Sequence, residues 1–238
     1  MPTAETSYTL EDQERMTRAK NYFAWQHRLV TRELGRRVIE IGCGIGNFTS
    51  LMLDREAIVA LDVEPDCVER LKERFPDRAN LHAFACDINA PEFPDLSSFR
   101  ADSCVCLNVI EHIEDDREAL RRMASALVPG GIVILITPAF PSLYGPIDER
   151  LGHFRRYTRA SMSRVAGEAG LSVKSCYYLN AVGFFGWWTN AHILKRHAQS
   201  PAQIEFFDRY VVPVMSRVES HIRPPFGQSL FVVLKKSS

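Results

Sequence analysis

Val38-Ile39-Glu40-Ile41-Gly42-Cys43-Gly44-Ile45-Gly46-Asn47-Phe48 is a β-branched, apolar run that ends in three glycines spaced two apart. Such a run delivered into a glycine turn, with the helix-like stretch Phe48 to Leu53 behind it, predicts strand, tight turn and helix N-terminus. That is the geometry of a nucleotide site. Gly42, Gly44 and Gly46 permit positive φ and close approach of a ligand, and amides left free at the helix start bind its polar groups. A dinucleotide fold uses G-x-G-x-x-G, so that a pyrophosphate meets the helix with no carboxylate beside it. Here the spacing is G-x-G-x-G and Glu40 stands two residues before the turn, which suits a ligand with a cationic end.

Outward from this stretch, Ala57 to Asp62, Leu81 to Cys86, Asp102 to Asn108 and Ile132 to Ile136 read as further buried strands. Ligands of open α/β sheets bind outside the carboxyl ends of strands, so Gly42, Asp62, Asp87 and Asn108 converge on one edge. Asp62, about twenty residues after the glycines, can accept both hydroxyls of a ribose. Its structural alternative is capping of the next helix, a role that Asp66 fits better. Asp87 can accept from an adenine amine, with Ile88 packed on the ring. Asp115 to Val128 reads as an amphipathic helix stopped by Pro129-Gly130-Gly131.

Glu-Ile-Gly-Cys-Gly-Ile-Gly at 40–46 resembles the first motif of the class I S-adenosylmethionine-dependent methyltransferases. Phe84-Ala85-Cys86-Asp87-Ile88, Asn108-Val109-Ile110-Glu111-His112 and the run from Leu127 to Leu135 resemble later motifs of that family, in order, over residues 38–137. The resemblance implies an α/β, Rossmann-like seven-stranded sheet, mostly parallel, with helices on both faces and an antiparallel last strand. It implies S-adenosylmethionine as cofactor, held by Glu40, Gly42, Gly44, Gly46, Asp62, Val63, Asp87, Ile88 and Asn108, with Tyr22 from the segment before the sheet. The implied reaction is methyl transfer to an oxygen or nitrogen of a small hydrophobic or aromatic molecule, an in-line displacement that depends on positioning.

Residues 138–158 are too long and too aromatic for a plain connection and are expected to close over the methyl acceptor. His153 and His112 are the general-base candidates, because an imidazole titrates near neutrality. Tyr144 and Tyr157 can orient the acceptor, and Arg155 and Arg156 can bind a carboxylate or phosphate on it. The structural alternative pairs Asp148 or Glu149 with an arginine and leaves His153 to satisfy backbone groups. Tyr-Gly-x-x-Asp followed by Gly-His-x-Arg-Arg-Tyr looks like a pattern of bacterial small-molecule and lipid-linked methyltransferases.

One domain is expected over 1–238: an N-terminal cap region at 1–34, a cofactor-binding half at 35–137, the substrate loop at 138–158 and a helical insertion at 180–228 before the last strand. Residues 1 to 10 read as a loose tail and Glu11 to Leu34 as helical, with Tyr22, Phe23 and Trp25 either capping the pocket or packing the core. Leu171 to Leu179 and Ser229 to Lys235 read as a closing antiparallel pair. In the insertion, aromatic residues including Trp187 precede basic ones. An acceptor pocket, a peripheral membrane or lipid contact, a homodimer contact and plain core packing all stay open there.

Across the 238 residues, Lys plus Arg and Asp plus Glu are equal at 29 each, so no basic field points to nucleic acid. Six cysteines without a CxxC pair read as reduced thiols, and the absence of an apolar leader makes the cytoplasm the expected location. No metal is expected, since Asp and His do not cluster at ligand spacing in the sequence. Two rivals to an acceptor-methylating enzyme are a non-catalytic cofactor- or partner-binding module and, less favoured by the glycine spacing, a nicotinamide-dependent oxidoreductase.

Overall fold

The computed structural model describes residues 10–91 and 93–236. Seven strands, β1 (Arg37–Ile41), β2 (Ala57–Asp62), β3 (Leu81–Ala85), β4 (Ala101–Leu107), β5 (Leu127–Pro138), β6 (Leu171–Leu179) and β7 (Ser229–Lys236), form one sheet in the order β3-β2-β1-β4-β5-β7-β6. Strands β1 to β5 pair in parallel, and β7 runs antiparallel between β5 and β6. Every residue of β2 is buried, as a strand covered on both faces requires. On one face lie α2 (Lys20–Val30), α3 (Pro65–Arg74) and α9 (Val212–Glu219), contributing Trp25, Leu29, Leu71 and Val212 to the core. On the other lie α4 (Asp116–Ser125) and α6 (Arg159–Glu168), with Leu120, Met123 and Met162.

Several local expectations change. The stretch after the glycines is a single 3₁₀ turn, Thr49–Leu51, because the Thr49 hydroxyl donates to Glu40 at 2.7 Å and the chain turns back directly into β2. Glu11 to Leu34 forms two helices, α1 (Leu10–Met16) and α2. The break lets the first turn of α2 dock on Asp208, whose carboxylate accepts from the amides of Asn21 and Tyr22 at 3.1 and 2.8 Å. Asp66 does not cap α3: Pro65 opens that helix without needing a donor partner, and Glu64 precedes it with no side-chain cap. Helix α4 is capped by Asp115 and ends at Ser125, and Pro129-Gly130-Gly131 lies inside β5. The tail expected over residues 1 to 10 falls, Leu10 apart, outside the described residues.

The segment 138–158 is folded. Its helix α5 (Pro146–Leu151) is held by the Asp148 carboxylate on the Gly145 amide, and Ala139 bridges to Tyr157. The insertion comprises α7 (Ala181–Thr189), α8 (Pro201–Phe206) and α9, with wide i→i+5 turns at Asn190–Leu194 and Phe207–Val211. Among the described residues no helix is long and apolar enough to cross a membrane.

Candidate active site

A cleft of about 750 Å³ opens at the carboxyl ends of β1 to β4. Glu40, Gly42, Asp62, Val63, Asp87, Ile88 and Asn108 line it from the sheet, and Tyr22 lines it from α2. Asn108 leaves β4 at φ 54°, a left-handed conformation that asparagine tolerates, with its amide donating to Ile136 at 2.7 Å. Gly42 turns at φ +76°, and a Cβ there would stand 2.2 Å from Val109 Cγ2.

The glycine loop does not present free amides as expected. Gly42 and Cys43 donate to Leu61 O, Gly44 to Asp62 Oδ2 at 2.7 Å, Ile45 to Gln13 Oε1 and Gly46 to Cys43 O. Gly44 and Gly46 therefore shape the loop from behind and do not line the cleft. Asp62 also accepts from the Glu64 amide at 3.0 Å. Burial raises its pKa against these backbone donors. Glu40 is pushed up to about 8, chiefly by burial and further by Asp62, with Thr49 opposing. Asp87 sits exposed at the rim, its carboxylate accepting from the Asn89 amide, and Ile88 beside it is buried.

In the same cleft, His112, at the end of the 3₁₀ turn Ile110–His112 that follows β4, and His153, after α5, meet with ring centroids 4.5 Å apart at 88°. His153 Nδ1 lies 2.7 Å from Asp148 Oδ1. The fully buried Asp148 also takes two bonds from the Arg156 guanidinium at 2.8 and 3.0 Å and one from Trp187 Nε1 at 3.4 Å. Burial pushes the Asp148 carboxyl up, but His153 and Arg156 together hold it below the usual range. His112 is held down to about 3, first by burial and then by His153, while a bond to the Leu151 backbone opposes. Glu111, with no exposed surface, accepts from Thr137 through Oε2, and its Oε1 has no hydrogen-bond partner.

Three expected acceptor residues stand elsewhere. Tyr157 is buried on the far side and donates to Asp116 at 2.7 Å, and Arg155 pairs with the same carboxylate at 2.8 Å. Tyr144 donates to the His153 carbonyl and does not line the cleft. Arg156 reaches the cleft but is spent on Asp148 and the Ala139 carbonyl, the pairing weighed as its structural alternative. Trp187 lines the cleft.

A family model described as a methyltransferase domain matches residues 39–133, the span from β1 into β5 that builds the sheet side of this cleft. A probable S-adenosylmethionine-dependent methyltransferase of Mycolicibacterium smegmatis is 28% identical over 189 residues, 76% of this chain and 69% of the relative. Over residues 39–133 the chain is thus similar to S-adenosylmethionine-dependent methyltransferases. A ubiquinone biosynthesis O-methyltransferase of Xanthomonas axonopodis pv. citri is 31% identical over 111 residues, covering 43% of each chain. That match thus spans less than half the length of the relative. In fold it is similar to the crystal structure of an S-adenosylmethionine-dependent methyltransferase from Mesorhizobium loti, with TM-score 0.59 at 17% identity over 89% of this chain and 96% of that one.

Sequence reasoning missed several groups around the cleft. Asp12 and Arg150 form a two-pronged pair at 3.0 and 3.1 Å that ties α1 to α5 over the cleft. Gln13 reaches back to the loop, and Glu111 joins the histidines. The expectation considered aspartates and histidines; in three dimensions it is a glutamate that joins the histidines, Glu111, His112 and His153 each bringing a ligand atom within 4.8 Å of the others. The signal available in the sequence was the pair Glu111-His112 itself.

Proposed function

We propose that this enzyme methylates an oxygen of a small, largely apolar acceptor, which lies between the nucleotide-facing strand ends and the His112–His153 pair. The observation that carries the reading is the shared cleft: strand-end acids line it together with the half-buried His112 and the buried His153, which Asp148 orients. Bound S-adenosylmethionine supplies an electrophilic methyl group.

The residues on the cofactor side fit that group by their chemistry. Glu40 and Asp62 are acids shielded from water, suited to an ammonium and to ribose hydroxyls, and Ile88 offers an apolar face. On the acceptor side Ile147, Trp187, Ile204 and Phe207 supply apolar wall, which favours a hydrophobic molecule over a highly charged one. An oxygen acceptor is favoured by the polar trio Glu111, His112 and His153 and by the similarity to the Xanthomonas O-methyltransferase. Rate in such a site comes from alignment of the nucleophile with the methyl carbon.

The insertion supports an amphiphilic acceptor met at a lipid surface. Phe206, Tyr210, Val214 and Val218 recur every four residues along α8 and α9, each more than half exposed. Arg209 and Arg217 flank the stripe, whereas the nearby acids are occupied: Glu205 pairs with Arg18, Asp208 holds α2 and Glu219 accepts from Asn180 and Ala181. An apolar stripe beside unopposed cations suits an anionic interface.

The test is calorimetric titration with S-adenosylmethionine, followed by turnover on a panel of hydrophobic alcohols, phenols and amines. Binding with methylation of hydroxyl compounds is expected; turnover confined to amines would remove the oxygen assignment. Co-sedimentation with phosphatidylglycerol vesicles, weakened by Phe206→Glu, tests the surface, and a concentration-dependent dimer that ignores vesicles would argue against lipid.

A further inference from the structure

We propose that Glu111, His112 and His153 form a binding site for one divalent transition-metal cation at the acceptor end of the cleft. This inference rests on the methyltransferase reading and extends it to the acceptor.

Three observations carry it. First, one atom from each side chain lies within 4.8 Å of the others, and all three residues line the cleft. Bonds of about 2.0–2.2 Å to a common ion bring ligand atoms closer than that upper bound, so occupancy draws the three side chains inward. Second, both imidazoles are oriented through hydrogen bonds outside the trio. His153 Nδ1 is engaged by Asp148, which leaves Nε2 for the cluster, and His112 is hydrogen-bonded to the Leu151 backbone. Metal-ligating histidines are typically held in this way, by a carboxylate or a backbone carbonyl on the nitrogen remote from the ion. Third, Glu111 Oε1 is completely buried without a hydrogen-bond partner, while Oε2 is satisfied by Thr137. A buried carboxylate oxygen left unpaired is costly, and a cation removes that cost.

The donor set selects the ion. Two imidazoles and one carboxylate with open positions suit Mn²⁺, Fe²⁺, Co²⁺ or Zn²⁺, whereas Mg²⁺ and Ca²⁺ prefer oxygen throughout. Arg156 is already paired with Asp148, so among the described residues no cation of the chain is bonded to Glu111 in the cluster. A cation held there favours an acceptor that presents a hydroxyl, or a hydroxyl beside a carbonyl or carboxylate, to the ion's open positions. An amine acceptor, protonated in water, is disfavoured there.

The test uses the full chain, stripped with a chelator and dialysed. Zn²⁺ is titrated calorimetrically and Co²⁺ by visible absorption, with and without S-adenosylhomocysteine. The expected result is one ion per chain, d–d bands of a nitrogen- and oxygen-bound Co²⁺, and affinity lowered at least 10-fold in Glu111→Gln and in His153→Ala. S-adenosylhomocysteine binding and the thermal transition are measured on each variant to show that the fold and the cofactor side survive. Absence of Co²⁺ bands in a chain that binds S-adenosylhomocysteine overturns the cation site and leaves the methyltransferase reading intact. So does Zn²⁺ affinity that is indifferent to both substitutions, since the ion would then be held elsewhere. Loss of activity in His153→Ala without metal binding by the parent chain would make His153 a proton acceptor instead, which also overturns it.

Discussion

Glu40, proposed to meet the cofactor's ammonium, gives that role a measurable dependence on pH. Its carboxyl is enclosed, and its pKa of about 8 means that the empty site holds it protonated at pH 7. A ligand bearing an ammonium favours the charged form, so cofactor binding at pH 7 is expected to release close to one proton. Calorimetry in phosphate and in Tris, whose ionisation enthalpies differ, measures this release directly; equal apparent enthalpies would remove Glu40 from contact with the cation, and Glu40→Gln should abolish the difference. The same shift acts on stability. Between the ordinary carboxyl value of 4.5 and about 8, the unfolded chain gives up this proton while the folded chain keeps it, so the contribution of Glu40 to stability falls as pH rises through that window and levels off above it. Denaturant titrations of the unliganded protein at pH 5 and pH 8 should show a smaller loss in Glu40→Gln. Gly42 is a second residue-scale case. Alanine there meets both a positive φ and Val109 at 2.2 Å, so Gly42→Ala should cost roughly 1–3 kcal/mol and lower the melting temperature by several degrees.

At the scale of elements, a carboxylate of the insertion supplies the cap of an N-terminal helix, beside the Arg18–Glu205 pair. Asp208, buried in the wide turn between α8 and α9, accepts from both Asn21 and Tyr22 amides where α2 lacks a cap of its own. Asp208→Ala leaves those donors without an acceptor at a helix N-terminus and should destabilise by about 1–3 kcal/mol. Hydrogen exchange should speed up first in α2 and α9; a uniform loss of protection across the sheet would show instead that Asp208 is not local in its effect. Sequence periodicity revealed the helical character of the two partners. It did not reveal the capping, because Asp208 and Asn21 are 187 residues apart and neither belongs to the other's hydrophobic pattern.

At the scale of the molecule, the sheet is a rigid floor, and α1, α5 and the insertion form the walls around it. The Asp12–Arg150 pair joins two of these walls over the cleft. Arg150→Ala should therefore leave the sheet intact and weaken S-adenosylhomocysteine binding roughly 10-fold, the equivalent of about 1–2 kcal/mol for a charged, two-pronged contact. An unchanged dissociation constant would show that closure of α1 over the cleft does not depend on this pair.

The cofactor half was legible because its information is local. A buried parallel strand is a short apolar run, and each ends in a turn whose first polar residue must face the same edge, so Gly42, Asp62, Asp87 and Asn108 fall together once the strands are counted. The second half was less so. Arg155 and Tyr157 read as acceptor contacts, yet both bind Asp116 on the far side. Arg156, adjacent to them, turns inward to Asp148 because the bridge between Ala139 and Tyr157 fixes which side of the strand-like segment each residue takes. By itself the sequence determined the sheet, the glycine turn and the strand-end acids, since periodicity and turn chemistry act between near neighbours. The His112–His153 contact, the orphaned oxygen of Glu111 and the fastening of the insertion were decided only by the tertiary structure, because they join side chains that no local pattern relates.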